Sequence, residues 1–502
     1  MGVIARQSIK GALANYLGVA IGFFVTFFVL TRYLTEEEVG LTRVMVDAAM
    51  LFSCLAQLGT NASIVRFFPH FKDNHGNHGI FGLSLLLPLA GFLLFALVFL
   101  LFREPLLAVY AEKSPLIADY FYLLPMLTFF ALYTTVFETN ASVLMRITVP
   151  KMVREVGIRL FNLAAYLLYG YRVISLDAFV WLFCGSYAAA MVLNLLYLVS
   201  LGNVSFRIDW RFLTRARVRE IGRYTLFMTA TVLAGNIPLI NSLFLGAKTG
   251  LALTGVYTIA FYIANVVEVP YRSLGAISRP VVAAAVKEDN WAEVNRLGRQ
   301  VSLHQFLVSM TIFYLIWINL PTLYAFIPNG ASYVGGTGVV LLLGMAKVVN
   351  STLSIGTDVL NYSRRYTRSL LFIAVLTASA IGLNPLLIGL WGIDGSAAAT
   401  LTAYLLYFAL LLGYMRWRLG VSLFSIGQLK VVVIMAAAFG LNLLWTHTLT
   451  PLIVPTASAQ GLLVDSAAKT VVLASLLAVA TYVWKVSPTV NAMVEGKVKK
   501  EK

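Results

Sequence analysis

Arg43 and Asp47 stand four residues apart inside a long apolar run, and Glu268 and Arg272 repeat that spacing in another. Four residues is one helical turn, so each pair shares a face and can neutralise itself. Lys347, in LLLGMAKVV, has no acid within a turn on its own helix, and Asp358 follows three turns later on roughly the same side. Glu138 sits late in a further apolar run. An ionised group near the middle of a bilayer costs at least about 2.5–3.5 kcal/mol, so such residues face a cavity or a partner. One reading makes Arg43, Arg272 and Lys347 fixed cations for an anionic ligand, the arginines as planar forks and the lysine as a point charge. The bland reading, as strong for the two spaced pairs, is that they hold helices together. Snorkelling or an interhelix pair is the competing reading for Lys347. Coupling to H+ or Na+ would need an embedded carboxylate, and Glu138, Asp358, Asp47 and Glu268 are the available set. Glu138 and Asp358 rank first because no basic residue lies within a turn of them on the same helix. Asn15, Tyr16, Asn236, Asn241, Asn265 and Asn350 suit sugar hydroxyls equally with helix-to-helix hydrogen bonds.

Several chemistries have no residues to carry them. There is no GxxxxGK[ST] phosphate loop, the nearest fragment being GAKT at 246–249, and neither HExxH nor GxSxG occurs. Transport driven by ATP hydrolysis, and covalent catalysis, are therefore not expected, and no cofactor is. His70, His75 and His78 lie in HFKDNHGNHG without the cysteines or helical spacing of a metal site, and read as a solvated loop. Cys54 and Cys184 sit inside apolar runs and read as small packing residues rather than a disulfide pair.

The elements that must position these residues are helices in a membrane. Charged residues make up 12% of the chain and hydrophobic ones 59%, with a mean hydropathy of +0.82. At about 20 apolar residues per crossing, the chain supplies about fourteen. We place them near 11–33, 39–63, 80–102, 116–141, 155–171, 178–201, 221–245, 252–276, 300–320, 332–360, 367–389, 391–414, 428–448 and 467–485. The first run is too long, and lacks a cleavage site, for a removed signal peptide. About thirty of the 38 basic residues fall at the N-terminus, in every second gap and in the tail KVKKEK. That bias predicts an even number of crossings with both termini cytoplasmic. It also accounts for most of the +16 net charge, which leaves no basic domain for nucleic acid.

The basic gap NVSFRIDWRFLTRARVREIGRY separates six crossings from eight. Phe206, Trp210 and Leu213 in it follow helical spacing, predicting an interfacial helix. The division expected is 1–202 for a first lobe, 203–220 for this linker, 221–415 for a second lobe and 416–502 for two further helices and the tail. The turns RYLTEEEVGLTRVMVDAAM and FLGAKTGLALTGVYTIAFYIA each give a polar turn, then a glycine (Gly40, Gly255), then a polar-dotted apolar run. That is the mark of a repeat fold. Gly392, Gly395, Ala397, Ala398 and Ala399 read as close-packing residues. NIP at 236–238 reads as a bend.

TRYLTEEEVG, RFFP after the second crossing, SRPVVAAAVKEDNWAEVNRLGRQ and WGIDGSAAATLTAYLL together resemble the polysaccharide-unit flippases. These belong to the multidrug/oligosaccharidyl-lipid/polysaccharide exporter superfamily. The resemblance covers essentially the whole chain and lies in order and spacing rather than in one motif. It implies an all-α polytopic protein with two pseudo-symmetric six-helix lobes around a central cavity, plus two C-terminal helices. It also implies alternating access in the bacterial inner membrane, moving undecaprenyl-pyrophosphate-linked oligosaccharide for surface polysaccharides such as O-antigen. The partners expected are that lipid-linked glycan, membrane lipids, a polysaccharide polymerase and glycosyltransferases. Alternatives in the same superfamily are a peptidoglycan lipid-precursor flippase and a drug/cation antiporter, the latter disfavoured by excess cavity cations. A membrane glycan polymerase or ligase is the alternative of another class. The outside gap TLTPLIVPTASAQGLLVD is too short for its acceptor site.

Overall fold

The computed structural model describes residues 17–72, 77–202, 207–234, 237–454, 459–487, 491 and 495. Among the described residues all regular structure is helical, and ten helices are long and apolar enough to cross a membrane, beside a shorter apolar one. The chain forms two compact units, 1–258 and 259–502.

The first unit begins with α1 (Leu17–Tyr33), whose Val25–Leu30 turn is wound as a π-helix. Leu34 is extended, and Thr35 then starts α2 (Glu36–Ala56) through a capping box. The Thr35 hydroxyl accepts the Glu38 amide at 3.3 Å while the Glu38 carboxylate accepts the Thr35 amide at 2.9 Å, satisfying two amide donors near the helix start. Gly59, at φ +69°, ends that run and redirects the chain into α3 (Thr60–Phe71). There follow α4 (Ile80–Leu101), α5 (Leu124–Val143), α6 (Ile158–Gly170), α7 (Leu176–Ser200), α8 (Arg215–Ala234) and α9 (Ile237–Lys248). A second π turn, Val153–Gly157, leads into α6, which packs against α1. Helix α2 packs against α4, α5 and α9, and α3 against α8, so the segment 221–248 belongs to this unit. Leu132, Val136, Ala141 and Leu198 form much of its apolar centre.

Helix α10 (Leu251–Asn265) carries the chain into the second unit, followed by α11 (Val269–Lys287), α12 (Trp291–Phe326) and α13 (Thr337–Tyr362). The 52-residue α14 (Thr367–Arg418) breaks at Trp391–Gly392, where Gly392 takes φ +56° and ψ −131°. The break falls where the sequence expects one crossing to end and the next to begin. The arms are fastened by Ser396, whose hydroxyl donates to Asn384 Oδ1 at 2.9 Å, and Gly395 lies so close to the Leu387 carbonyl that a Cβ could not be accommodated. Ala397 and Ala399 are fully buried, as small packing residues should be. Helix α13 packs on α11, α12 and α14, while α15 (Ile426–Thr448) and α16 (Ala459–Val483) pack on each other and on α12.

Residues 207–214 are not the expected interfacial helix. Helix α8 starts only at Arg215, Trp210 lies on a turn, Leu213 is in irregular chain, and Phe206 is outside the described residues. The cause is Asp209, whose carboxylate accepts the Arg211 and Phe212 amides at 3.1 and 3.2 Å and so offers the backbone an alternative to a helix. His78, expected in a solvated loop, holds this turn. Its Nδ1 lies 3.0 Å from Asp209 Oδ2 and its ring stacks on Phe212 at 3.9 Å. The His78 hydrogen bond, with the two amides, holds the Asp209 carboxyl below the usual carboxylate range.

Candidate functional site

Each unit carries its own set of embedded charges. In the first, Arg43 Nε donates to Asp47 Oδ2 at 2.5 Å, the self-neutralising pair that the spacing allows. The same oxygen accepts the Ser242 hydroxyl of α9 at 2.6 Å, so Asp47 ties α2 to α9 as well. Beside Ser242, Asn241 is buried and donates to the Tyr257 hydroxyl at 3.0 Å, a helix-to-helix bond. Glu138 is paired across helices: Arg154 Nη1 donates to its Oε2 at 2.7 Å, while Oε1 is buried with no hydrogen-bond partner among the described residues. Arg154, Glu155 and Arg159 form a ladder along the π turn before α6, with N–O distances of 3.3 and 3.4 Å.

In the second unit, Lys347 is not a lone cation. Its Nζ lies 3.1 Å from Glu268 Oε2 and 5.5 Å from the centre of the Phe261 ring, and Asn350 Nδ2 donates to Glu268 Oε1 at 2.8 Å. An ammonium as buried as this one needs an anion within reach, and the carboxylate of Glu268 supplies it. The expected Glu268–Arg272 pair cannot be described, because the Arg272 side chain lies outside the described residues. Asp358 likewise finds a partner on another helix. Arg279 Nε donates to its Oδ2 at 3.0 Å, and Arg279 Nη2 donates to the Tyr271 hydroxyl at 2.6 Å. Asn265 is half-buried at the end of α10. Asn15, Tyr16 and Asn236 lie outside the described residues.

Sequence reasoning missed a fifth set. On α16, Lys469 Nζ lies 3.0 Å from Asp465 Oδ2, both nearly inaccessible, and Asp465 also accepts Trp445 Nε1 at 2.9 Å and the Thr450 hydroxyl at 3.1 Å. The i, i+4 signal was the same one that found Arg43–Asp47. It was hidden because Asp465 counted as the end of a loop. Arg279 and Arg154 were missed for another reason: their partners are remote in sequence, at Asp358 and Glu138.

The two glycines singled out from the repeated turns come together. A Cβ on Gly40 would overlap the Leu251 carbonyl oxygen and crowd Gly255, and one on Gly255 would overlap the Glu36 carbonyl oxygen. The starts of α2 and α10 therefore cross backbone to backbone, as small residues permit between membrane helices.

Every carboxylate in these sets is engaged by a cation or a hydrogen-bond donor. Among the described residues no group of three or more His, Cys, Asp or Glu is placed to hold a metal. Neither Cys54 nor Cys184 forms a disulfide.

The family model described as polysaccharide biosynthesis protein matches residues 7–283. None of the curated proteins compared matches the chain. Among solved structures, a Lipid II flippase MurJ in an inward closed conformation superposes with a TM-score of 0.70 at 11% identity, covering 95% of this chain and 98% of that one. An inward-facing multidrug resistance MATE family transporter of the MOP superfamily gives 0.59 at 18% identity, with 84% and 98% covered. A Vibrio cholerae MATE transporter gives 0.53 at 13%, with 84% and 99% covered. At such identities the likeness is one of fold.

Proposed function

The chain belongs to the polysaccharide biosynthesis protein family and has the fold of the MOP-superfamily transporters, and from that premise we propose that it flips a lipid-linked oligosaccharide across the bacterial inner membrane. The observation that carries the reading is the family match over residues 7–283, more than half of the chain. The chemistry of the embedded charges supports it. A pyrophosphate cannot enter a low-dielectric interior unless fixed cations replace its water. Arg43 and Lys347 are such cations, each paired with a carboxylate that the phosphate can replace. Exchange of Asp47 or Glu268 for phosphate changes which helices are tied together, which is how a ligand shifts a conformational equilibrium. The carrier works by alternating access, with both termini cytoplasmic, no covalent step and no cofactor. A polysaccharide polymerase and glycosyltransferases are its partners. Glu138, with one oxygen on Arg154 and the other buried without a partner, is the first candidate for coupling to H+ or Na+; Asp358 is the second.

One second reading has a specific observation in its favour. The MurJ structure, described as a Lipid II flippase, overlays 95% of this chain, which favours a peptidoglycan lipid precursor as cargo. One experiment separates the two. Purified protein in proteoliposomes is given fluorescent undecaprenyl-pyrophosphate oligosaccharide or fluorescent peptidoglycan lipid precursor, and loss of signal to an external quencher or reductant is followed. Faster flipping of the oligosaccharide is expected. Acceleration of the precursor alone replaces the first reading by the second, and acceleration of neither ends both.

A further inference from the structure

A cavity of about 480 Å³ lies in the second unit, apart from all the charged pairs described above. Its walls include Arg296, Arg299, Gln300 and His304 from the first turns of α12, Ser425 just before α15, and Ser487 just after α16. None of the lining residues is acidic. Glu293, one turn away, engages Arg296 through both guanidinium edges at 2.6 and 2.8 Å, so that arginine is locally balanced. Arg299 has no such acid among the described residues. Its Nε donates to the Ser422 carbonyl at 3.2 Å, which anchors the guanidinium at the wall, and His304 Nε2 lies 2.7 Å from Ser487 Oγ. The start of α15, with its positive dipole end, meets the same space. The volume lies within the range of small-molecule sites and suits a headgroup.

The rim says which anion. Phe424 and Ile426 flank the lining Ser425, Leu429 follows it by one helical turn and Trp484 precedes the lining Ser487 by three residues; all four are large, apolar and exposed, and Lys430 donates to the Trp484 carbonyl at 2.8 Å. A free ion has no use for an apolar rim, whereas a phospholipid places its phosphate among the donors and its chains along the helix. Aromatic residues at headgroup level beside basic side chains are the usual companions of such a site. We propose that this cavity binds the phosphate of an anionic phospholipid headgroup, with Arg299 as its principal cation and α15 as the surface for the acyl chains.

The test uses the full chain in detergent. Its unfolding temperature is followed while mixed micelles containing dioleoyl phosphatidylglycerol, dioleoyl phosphatidylcholine, or inorganic phosphate alone are added. The expected result is a saturable rise with phosphatidylglycerol that phosphatidylcholine does not match. Arg299→Gln should weaken the apparent affinity by about fivefold, and Arg299→Lys should keep most of it. Equal responses to the two lipids, or wild-type affinity in Arg299→Gln, overturn the site. A full response to inorganic phosphate alone overturns the lipid as its occupant. Should Arg299→Gln fail to fold, brominated phosphatidylglycerol is used with wild-type protein, and Trp484→Phe identifies the contribution of Trp484. Stronger quenching of Trp484 by the brominated phosphatidylglycerol than by brominated phosphatidylcholine is expected; equal quenching overturns the proposal.

Discussion

Lys347 and Glu268 illustrate how a buried charge changes meaning once its neighbours are known. In the sequence Lys347 stands alone, because its acid is 79 positions away on another element. Removing one member leaves the other charged and dry, which should destabilise the protein by about 3–5 kcal/mol. Replacing both by groups of similar size should cost far less. Thermal unfolding of Lys347→Met, Glu268→Gln and the double variant therefore tests the pair. Strongly non-additive losses are expected, and additive ones would mean that the two do not meet. Arg43–Asp47 was legible from its spacing, since both ends lie on one helix. The third tie, Ser242 to Asp47, was not, because nothing local encodes which hydroxyl from a distant helix arrives. Glu138 gives a second expectation at this scale. With Oε1 unpartnered, Glu138→Gln should leave insertion intact and blunt the response of flipping to an imposed proton or sodium gradient in proteoliposomes. If wild type also ignores the gradient, consumption of the glycan on the far side drives transport.

Between elements, the crossing of α2 and α10 depends on two absent side chains. Gly40 and Gly255 were found by comparing two turns, and the structure brings each against the backbone of the other's helix. Gly255→Val should prise these helix starts apart. A cysteine at Thr254, fully buried in the native fold, should then become reactive to a membrane-impermeant maleimide in a background lacking Cys54 and Cys184. Continued protection would show that the crossing tolerates a side chain. The turn at 207–214 fared differently. Its apolar spacing suggested a helix, but Asp209 captures two amides and His78 captures Asp209, a contact across 131 residues that periodicity cannot report. Because the folded carboxyl of Asp209 titrates below its unfolded value, its contribution to stability is present above the ordinary carboxylate range. It is lost as pH falls through the lowered value. The protection of the Arg211 and Phe212 amides, their exchange rate relative to the intrinsic rate at the same pH, should therefore hold as pH falls to about 4, the ordinary carboxylate value, and drop below it. Asp209→Asn should remove that acid-dependent component.

For the whole molecule, hydropathy carried most of the architecture, because a bilayer forces every backbone amide into a helix and leaves few alternatives. The all-helical fold and the break at Trp391–Gly392 were both foreseen on that ground. What hydropathy does not encode is which helices share a unit, since that rests on contacts such as α2 with α9. Orientation has its own test. Reporter fusions at 75, 215, 290 and 420 should read cytoplasm and those at 110, 248 and 457 the opposite side, as the alternating basic gaps require. A consistent inversion beyond 245, after the seventh crossing, would mean that one crossing had been miscounted.

Helix α16 raises a question of biogenesis. Asp465 and Lys469 lie in its first half, and an isolated helix carrying both would meet an insertion barrier of about 5–7 kcal/mol near the bilayer centre. Their partners include Trp445 at the end of α15 and Thr450 just beyond it, in the segment the ribosome releases immediately before. The charges can thus be neutralised and solvated by chain already at hand, provided that α15 and α16 leave the insertion machinery together as a hairpin. The last two helices would then enter the membrane as one cooperative unit, and a chain ending inside α16 before Lys469 would carry an acid with no cation to escort it.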